Sequence, residues 1–248
     1  MHATKSYFLA DMSVMFGRSM RHVFRSLDTI MTVCLSPMAI MLLFVYVFGG
    51  AIQIDTTVPY INYLIPGIML MTIANGIGYV SYRLFLDQQR GIFERFHTMP
   101  IARSAPLLVS NTLSVGVIIV VALVMGFRPA AGIVGWLAVG GILGMFTLAL
   151  TWIAVIAGLS AKSLDSAGAF AFAIHLLPFV SSAFVPTASM PRPVRFFADY
   201  QPVTPIVESI RALLLGQSLG NTGWVALAWC VGIMLVAYGF AMRVYKRK

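Results

Sequence analysis

Six long apolar stretches alternate with short polar ones along this chain: Ile30–Ile52, Leu64–Ser81, Pro106–Met125, Val134–Gly158, Ala167–Pro186 and Thr222–Met242. A helix of about 20 apolar residues crosses the roughly 30 Å hydrocarbon layer of a bilayer. Backbone groups in hydrocarbon must be satisfied within the segment, so uninterrupted runs of this length predict helices. The expected fold is all-α integral membrane with six transmembrane helices. The first run exceeds the roughly 7–15 residues of a signal-peptide core, so it is read as a span and not as a leader.

The polar interruptions carry the remaining information. The first 28 residues bring Tyr7, Phe8, Met12, Met15, Phe16, Met20, Val23 and Phe24 near helical spacing, with Lys5, Arg18, Arg21 and Arg25 between them. That pattern fits an amphipathic helix lying in the membrane interface, or equally a basic topology anchor. Six ionisable residues (Arg83, Asp87, Arg90, Glu94, Arg95, Arg103) then cluster between two uncharged stretches, Ile61–Tyr82 and Ser104–Phe127. Within that loop Ile92, Phe93, Phe96 and Met99 form an apolar stripe, and Pro100 ends any helix formed there. By composition alone a solvated connector fits this loop better. The segment 188–221 is broken by Pro191, Pro193, Pro202 and Pro205. Its residues Ile206, Val207, Ile210, Leu213 and Leu214 share a helical face. Glu208 and Arg211 stand at i, i+3 and are expected to pair on the polar side.

Composition agrees with the pattern: 59% of residues are hydrophobic and 10% charged, against about 25% charged in soluble domains. The net charge of +9 is a topology signal and not a nucleic-acid footprint. With six spans both termini share a side. That side carries 13 Lys and Arg, in the N-terminal segment, the charged loop, Lys162 and the tail, and the other carries four (Arg128, Arg192, Arg195, Arg211). The imbalance puts the termini and the charged loop in the cytoplasm.

Candidate chemistry is sparse. No phosphate loop of the GxxxxGK[ST] type occurs, and neither HExxH nor GxSxG is found. Cys34 and Cys230 lie in apolar runs without metal-ligand spacing, which predicts buried thiols. His175 is the one histidine in a span, and no carboxylate lies in one, which disfavours a proton relay. Thr72, Asn75, Tyr79 and Tyr82 share a face of the second span. They are candidates for a substrate path or for a helix-packing stripe. Gly140–Gly144 and Ala169–Ala173 suggest close helix contacts.

The loop Arg90–Arg103 (RGIFERFHTMPIAR) and the segment Met190–Gly216 (MPRPVRFFADYQPVTPIVESIRALLLG) together resemble the membrane subunit of type-2 ABC exporters, the drug-resistance and polysaccharide-export permeases. The likeness covers most of the chain. It rests on the Gly, the Glu-Arg pair and the Pro of the loop, and on the Pro-x-Thr and Arg-Ala-Leu-Leu-Leu-Gly before the last span. Gln201 stands where the family often has Asn.

The resemblance implies a two-part organisation: an interfacial elbow helix over 1–28 and a six-helix permease domain over 29–248, with a cytoplasmic coupling loop at 83–105. A coupling helix at Gly91–Met99 would dock on an ATPase subunit, through Arg90, Gly91, Phe93, Glu94, Arg95, Phe96, Met99 and Pro100. External re-entrant helices over 188–221 would close the outer end, with Pro191, Pro202, Thr204, Glu208 and Arg211 in the gate region. Two permeases, identical or paralogous, would work with two ABC ATPase subunits in the bacterial cytoplasmic membrane. The chain itself would be non-catalytic and bind no cofactor or metal; ATP and Mg would sit on the partner ATPase. The cargo would be a hydrophobic or amphipathic drug or lipid-like molecule. Two alternatives stand beside this: a secondary transporter or channel needing no ATPase, and a membrane scaffold that transports nothing.

Overall fold

The computed structural model describes residues 27–50, 59–89, 100–160 and 163–246. These residues are all-helical, with no strand among them. The helices are α1 (Leu27–Leu42), α2 (Tyr60–Gln89), α3 (Pro100–Val124), α4 (Ile133–Ser160), α5 (Leu164–Leu176), α6 (Arg192–Tyr200), α7 (Val203–Leu214) and α8 (Gly220–Lys246). A π-helical stretch, Leu43–Phe48, continues α1, and a 3-10 turn, Leu177–Val180, continues α5. Among the described residues, three helices contain stretches long and apolar enough to cross a membrane: Tyr60–Gly78, Ile133–Ala154 and Gly220–Phe240. Cys34–Phe48 and Asn111–Val124 are shorter apolar helical stretches.

Helix α2 is the axis of the bundle. It packs against α1, α3, α4, α5 and α7. Its apolar stretch is 78% buried inside the protein, against 22% for that of α8. Leu64, Ile65, Ile68, Met69, Leu70 and Met71 are wholly buried along it. The apolar residues of α2 therefore face protein nearly all round, whereas Trp224, Leu235, Val236 and Phe240 on α8 are exposed.

Three details depart from expectation. Helix α2 starts at Tyr60, four residues ahead of its predicted run, and carries Pro66 in its interior. The chain passes closely there: a Cβ on Gly67 would stand 2.6 Å from the Cβ of Ala183. The fifth run, predicted as one helix to Pro186, leaves α-helix after Leu176. Pro178 has no N–H to donate to an α-helical ladder. Ser181 then turns the chain, donating its hydroxyl to Pro178 O at 2.6 Å and accepting from Ala183 N at 3.1 Å. Finally, a Cβ on Gly140 or Gly144 would meet nothing within 4 Å, so this pair makes no close helix contact within the described chain.

Helices α3 and α7 end alike. Gly126 and Gly216 have positive φ (103° and 69°), a conformation that glycine adopts without a Cβ penalty. Phe127 N donates to Ala122 O and Gln217 N to Ala212 O, the wrap-around bonds that satisfy last-turn carbonyls. Ala130 N then donates to Leu214 O at 2.9 Å, joining the two helix ends.

Candidate functional site

One end of the bundle gathers the start of α2, the end of α3, the turn after α5, and the α6–α7 pair. Helix α7 is the inserted element. Ile206, Val207, Ile210 and Leu214 are fully buried and Leu213 partly so, as their shared face requires. Pro202 caps its N-terminus and lacks the N–H that a first turn leaves unsatisfied. Thr204 ties α7 to its surroundings. Its hydroxyl donates to Ala198 O at 2.6 Å and accepts from Ser182 N at 3.4 Å. Pro191 precedes α6 and is exposed.

Arg211 is the centre of this region. Glu208 accepts from its Nη1 at 2.8 Å, so the expected pair forms. Its placement differs from expectation: the pair is not on a polar outer side, because Arg211 is 7% exposed and points into the protein. Nη2 donates to Ser182 O at 2.7 Å and Nε to Tyr63 O at 3.2 Å. The guanidinium carbon lies 3.6 Å above the centroid of the Tyr63 ring, within cation–π range. A buried cation is tolerable only with such partners. The planar fork joins α7 to α2 and to the turn after α5 in one group.

Several members of this cluster lay outside the sequence reading. The Tyr60 and Tyr63 hydroxyls donate to Phe184 O and Ser182 O, each at 2.9 Å. Asn62 holds the backbone of Arg128, accepting from its N–H at 3.2 Å and donating to its carbonyl at 3.4 Å. Gln201 Nε2 donates to Val180 O. A Tyr-x-x-Tyr at a helix start and paired serines at the end of the fifth run were the available signals, but carbonyl partners leave no trace in a sequence.

The opposite end of α2 runs to Gln89, and α3 begins at Pro100, with proline in the first turn where its missing N–H is tolerated. The loop is thereby bounded by two long helices. The coupling residues Arg90, Gly91, Phe93, Glu94, Arg95, Phe96 and Met99, and the elbow segment 1–26, lie outside the described residues. Of the second-span face, Thr72 is buried and donates to Ile68 O at 2.8 Å, and Asn75 is half-buried. Tyr79 and Tyr82 lie within α2, with side chains outside the described set. Both cysteines are buried and free. No group of His, Cys, Asp or Glu among the described residues could hold a metal.

These features define a polytopic, all-helical membrane protein in which a buried cation fastens a short inserted helix to the bundle axis. The chain belongs to the ABC-2 type transporter family, which it matches over residues 11–215. It is 27% identical, over 227 residues, to a daunorubicin resistance ABC transporter permease protein of Streptomyces coeruleorubidus, covering 87% of this chain and 79% of the relative. It is 24% identical, over 240 residues, to a probable doxorubicin resistance ABC transporter permease protein of Mycobacterium tuberculosis, covering 92% and 86%. The chain is thus an ABC transporter permease: a non-catalytic membrane subunit, with ATP hydrolysed in a partner chain.

Proposed function

We propose that this permease exports a hydrophobic or amphipathic drug or lipid-like molecule across a bacterial cytoplasmic membrane. The observation that carries the reading is the match, over most of the chain, to permeases named for daunorubicin and doxorubicin resistance. Six spans cross the bilayer: α1 with its π-helical extension, α2, α3, α4, α5 with its 3-10 turn, and α8. Both termini and the α2–α3 loop face the cytoplasm, in keeping with the 13-to-4 division of Lys and Arg. Segment 1–28 is the interfacial elbow, and residues 29–248 form the permease domain.

Two permeases pair with two ATPase subunits, which hold the ATP and Mg. Closure of the ATPase dimer pushes on the coupling segment, where Glu94 and Arg95 make polar contacts and Phe93, Phe96 and Met99 pack. Arg90, Gly91 and Pro100 set its ends. The push travels along α2 and α3 as rigid bodies. It reaches the outer end, where Pro191, Pro202, Thr204, Glu208 and Arg211 hold the α6–α7 pair as an external gate. Thr72, Asn75, Tyr79 and Tyr82 line one face of the axis as a substrate path.

The test is flux. Inside-out vesicles containing this chain with its ATPase accumulate daunorubicin when ATP is added. Vesicles with the chain alone, under an ion gradient, do not. Accumulation without the ATPase would overturn the reading.

A further inference from the structure

Buried polar groups in an apolar setting nearly always have partners. Two buried side chains on α3 do not: Asn111 Nδ2 and Ser114 Oγ have no hydrogen-bond partner. They are 5% and 1% exposed, and stand one turn apart on a single face. That face meets α1 and α2. Cys34 of α1 points its thiol at Ser114 O, 3.7 Å away. The Asn111 side chain lies on Gly76 of α2, where a Cβ would overlap its Oδ1. The absence of a side chain at 76 is what lets the amide reach the axis helix.

The unpaired state is not forced by the helix. Thr72, Thr147 and Thr151 each donate their hydroxyl one turn back, to Ile68, Leu143 and Thr147 carbonyls, at 2.7–2.8 Å. Ser114 could do the same to the residue four before it and does not. Gly76 and Asn111 each stand about three turns from the α2–α3 loop, so they are level within the hairpin. On the proposed topology this level belongs to the cytoplasmic half of the bilayer.

We infer that Asn111 and Ser114 form an intramembrane hydrogen-bonding site, at the seam of α1, α2 and α3, for the oxygen-bearing group of an amphipathic substrate. The inference rests on the export reading. The amide N–H requires an acceptor, and the hydroxyl can donate or accept. A carbonyl or hydroxyl oxygen satisfies both, and a purely hydrocarbon ligand satisfies neither. Asn75, beside Gly76 and half-buried, is the polar residue of α2 nearest in sequence to the seam.

The test uses the permease–ATPase complex in lipid nanodiscs with two probes. Daunorubicin carries carbonyl and hydroxyl oxygens, and tetraphenylphosphonium has no hydrogen-bonding group. Asn111→Leu keeps the branched shape and removes the amide; Ser114→Ala removes the hydroxyl. Each is expected to weaken daunorubicin binding about tenfold, the loss of one buried hydrogen bond, and to leave tetraphenylphosphonium binding unchanged. Gly76→Ala, which displaces the amide without removing it, is expected to act like Asn111→Leu. Equal loss for both probes, or daunorubicin binding at the wild-type level in both α3 variants, overturns the site, water having been the only occupant in the second case. If Asn111→Leu does not assemble, Ser114→Ala decides. Wild-type complex that binds neither probe overturns the export reading together with the site.

Discussion

Arg211 is a cation buried among partners: one carboxylate and two carbonyls accept from its three nitrogens, and a tyrosine ring lies against its plane. Removing it leaves Ser182 O with the Tyr63 hydroxyl alone, takes one donor from Tyr63 O and leaves Glu208 without its partner. Arg211→Met is therefore expected to lower stability by about 3 kcal/mol, read as thermal unfolding of the purified permease in detergent. Glu208→Gln is expected to cost less than about 1 kcal/mol, because that carboxylate is 42% exposed and solvent screens it. An equal effect of the two changes would mean that the ion pair, and not the carbonyl fork, holds α7. The Glu208–Arg211 spacing was legible in the sequence. Its inward aim was not, because the two carbonyls come from positions 29 and 148 residues away. Backbone acceptors carry no side-chain signature.

At the scale of elements, the apolar runs foretold where helices lie, since hydrophobic length is a local property. The ends were less legible. Helix α3 begins at Pro100, not Pro106, because Ile101, Ala102 and Arg103 continue a good helix without being apolar enough to count as a span. The fifth run fails as one helix because Pro178 and the Ser181 turn outweigh its apolar composition. Glycines also divide by environment. Gly67→Ala is expected to destabilise by about 1–3 kcal/mol, since its Cβ would press on Ala183. Gly140→Ala meets open space and is expected to stabilise the isolated subunit by up to about 1 kcal/mol through helix propensity. Thermal unfolding of the two variants side by side checks the opposite signs. The GxxxG spacing at 140–144 had suggested a packed face, but the motif says nothing about which neighbour arrives.

For the whole molecule, the proposed function is mechanical. A buried axis helix, α2, touches most of the bundle. One end meets α7, and the other runs into the loop that precedes α3. The sequence placed that loop by its charge and by its likeness to exporter permeases, and the family match supports the class. Which residues of the loop bear the load is a proposal that rests on the Glu94–Arg95 pair and its apolar neighbours. The most direct test reconstitutes the chain with its ATPase and measures substrate-stimulated ATP hydrolysis for Glu94→Ala combined with Arg95→Ala. The account predicts that stimulation falls to the basal rate, while membrane insertion and basal hydrolysis stay at wild-type levels. Stimulation at the wild-type level in that double variant would contradict it.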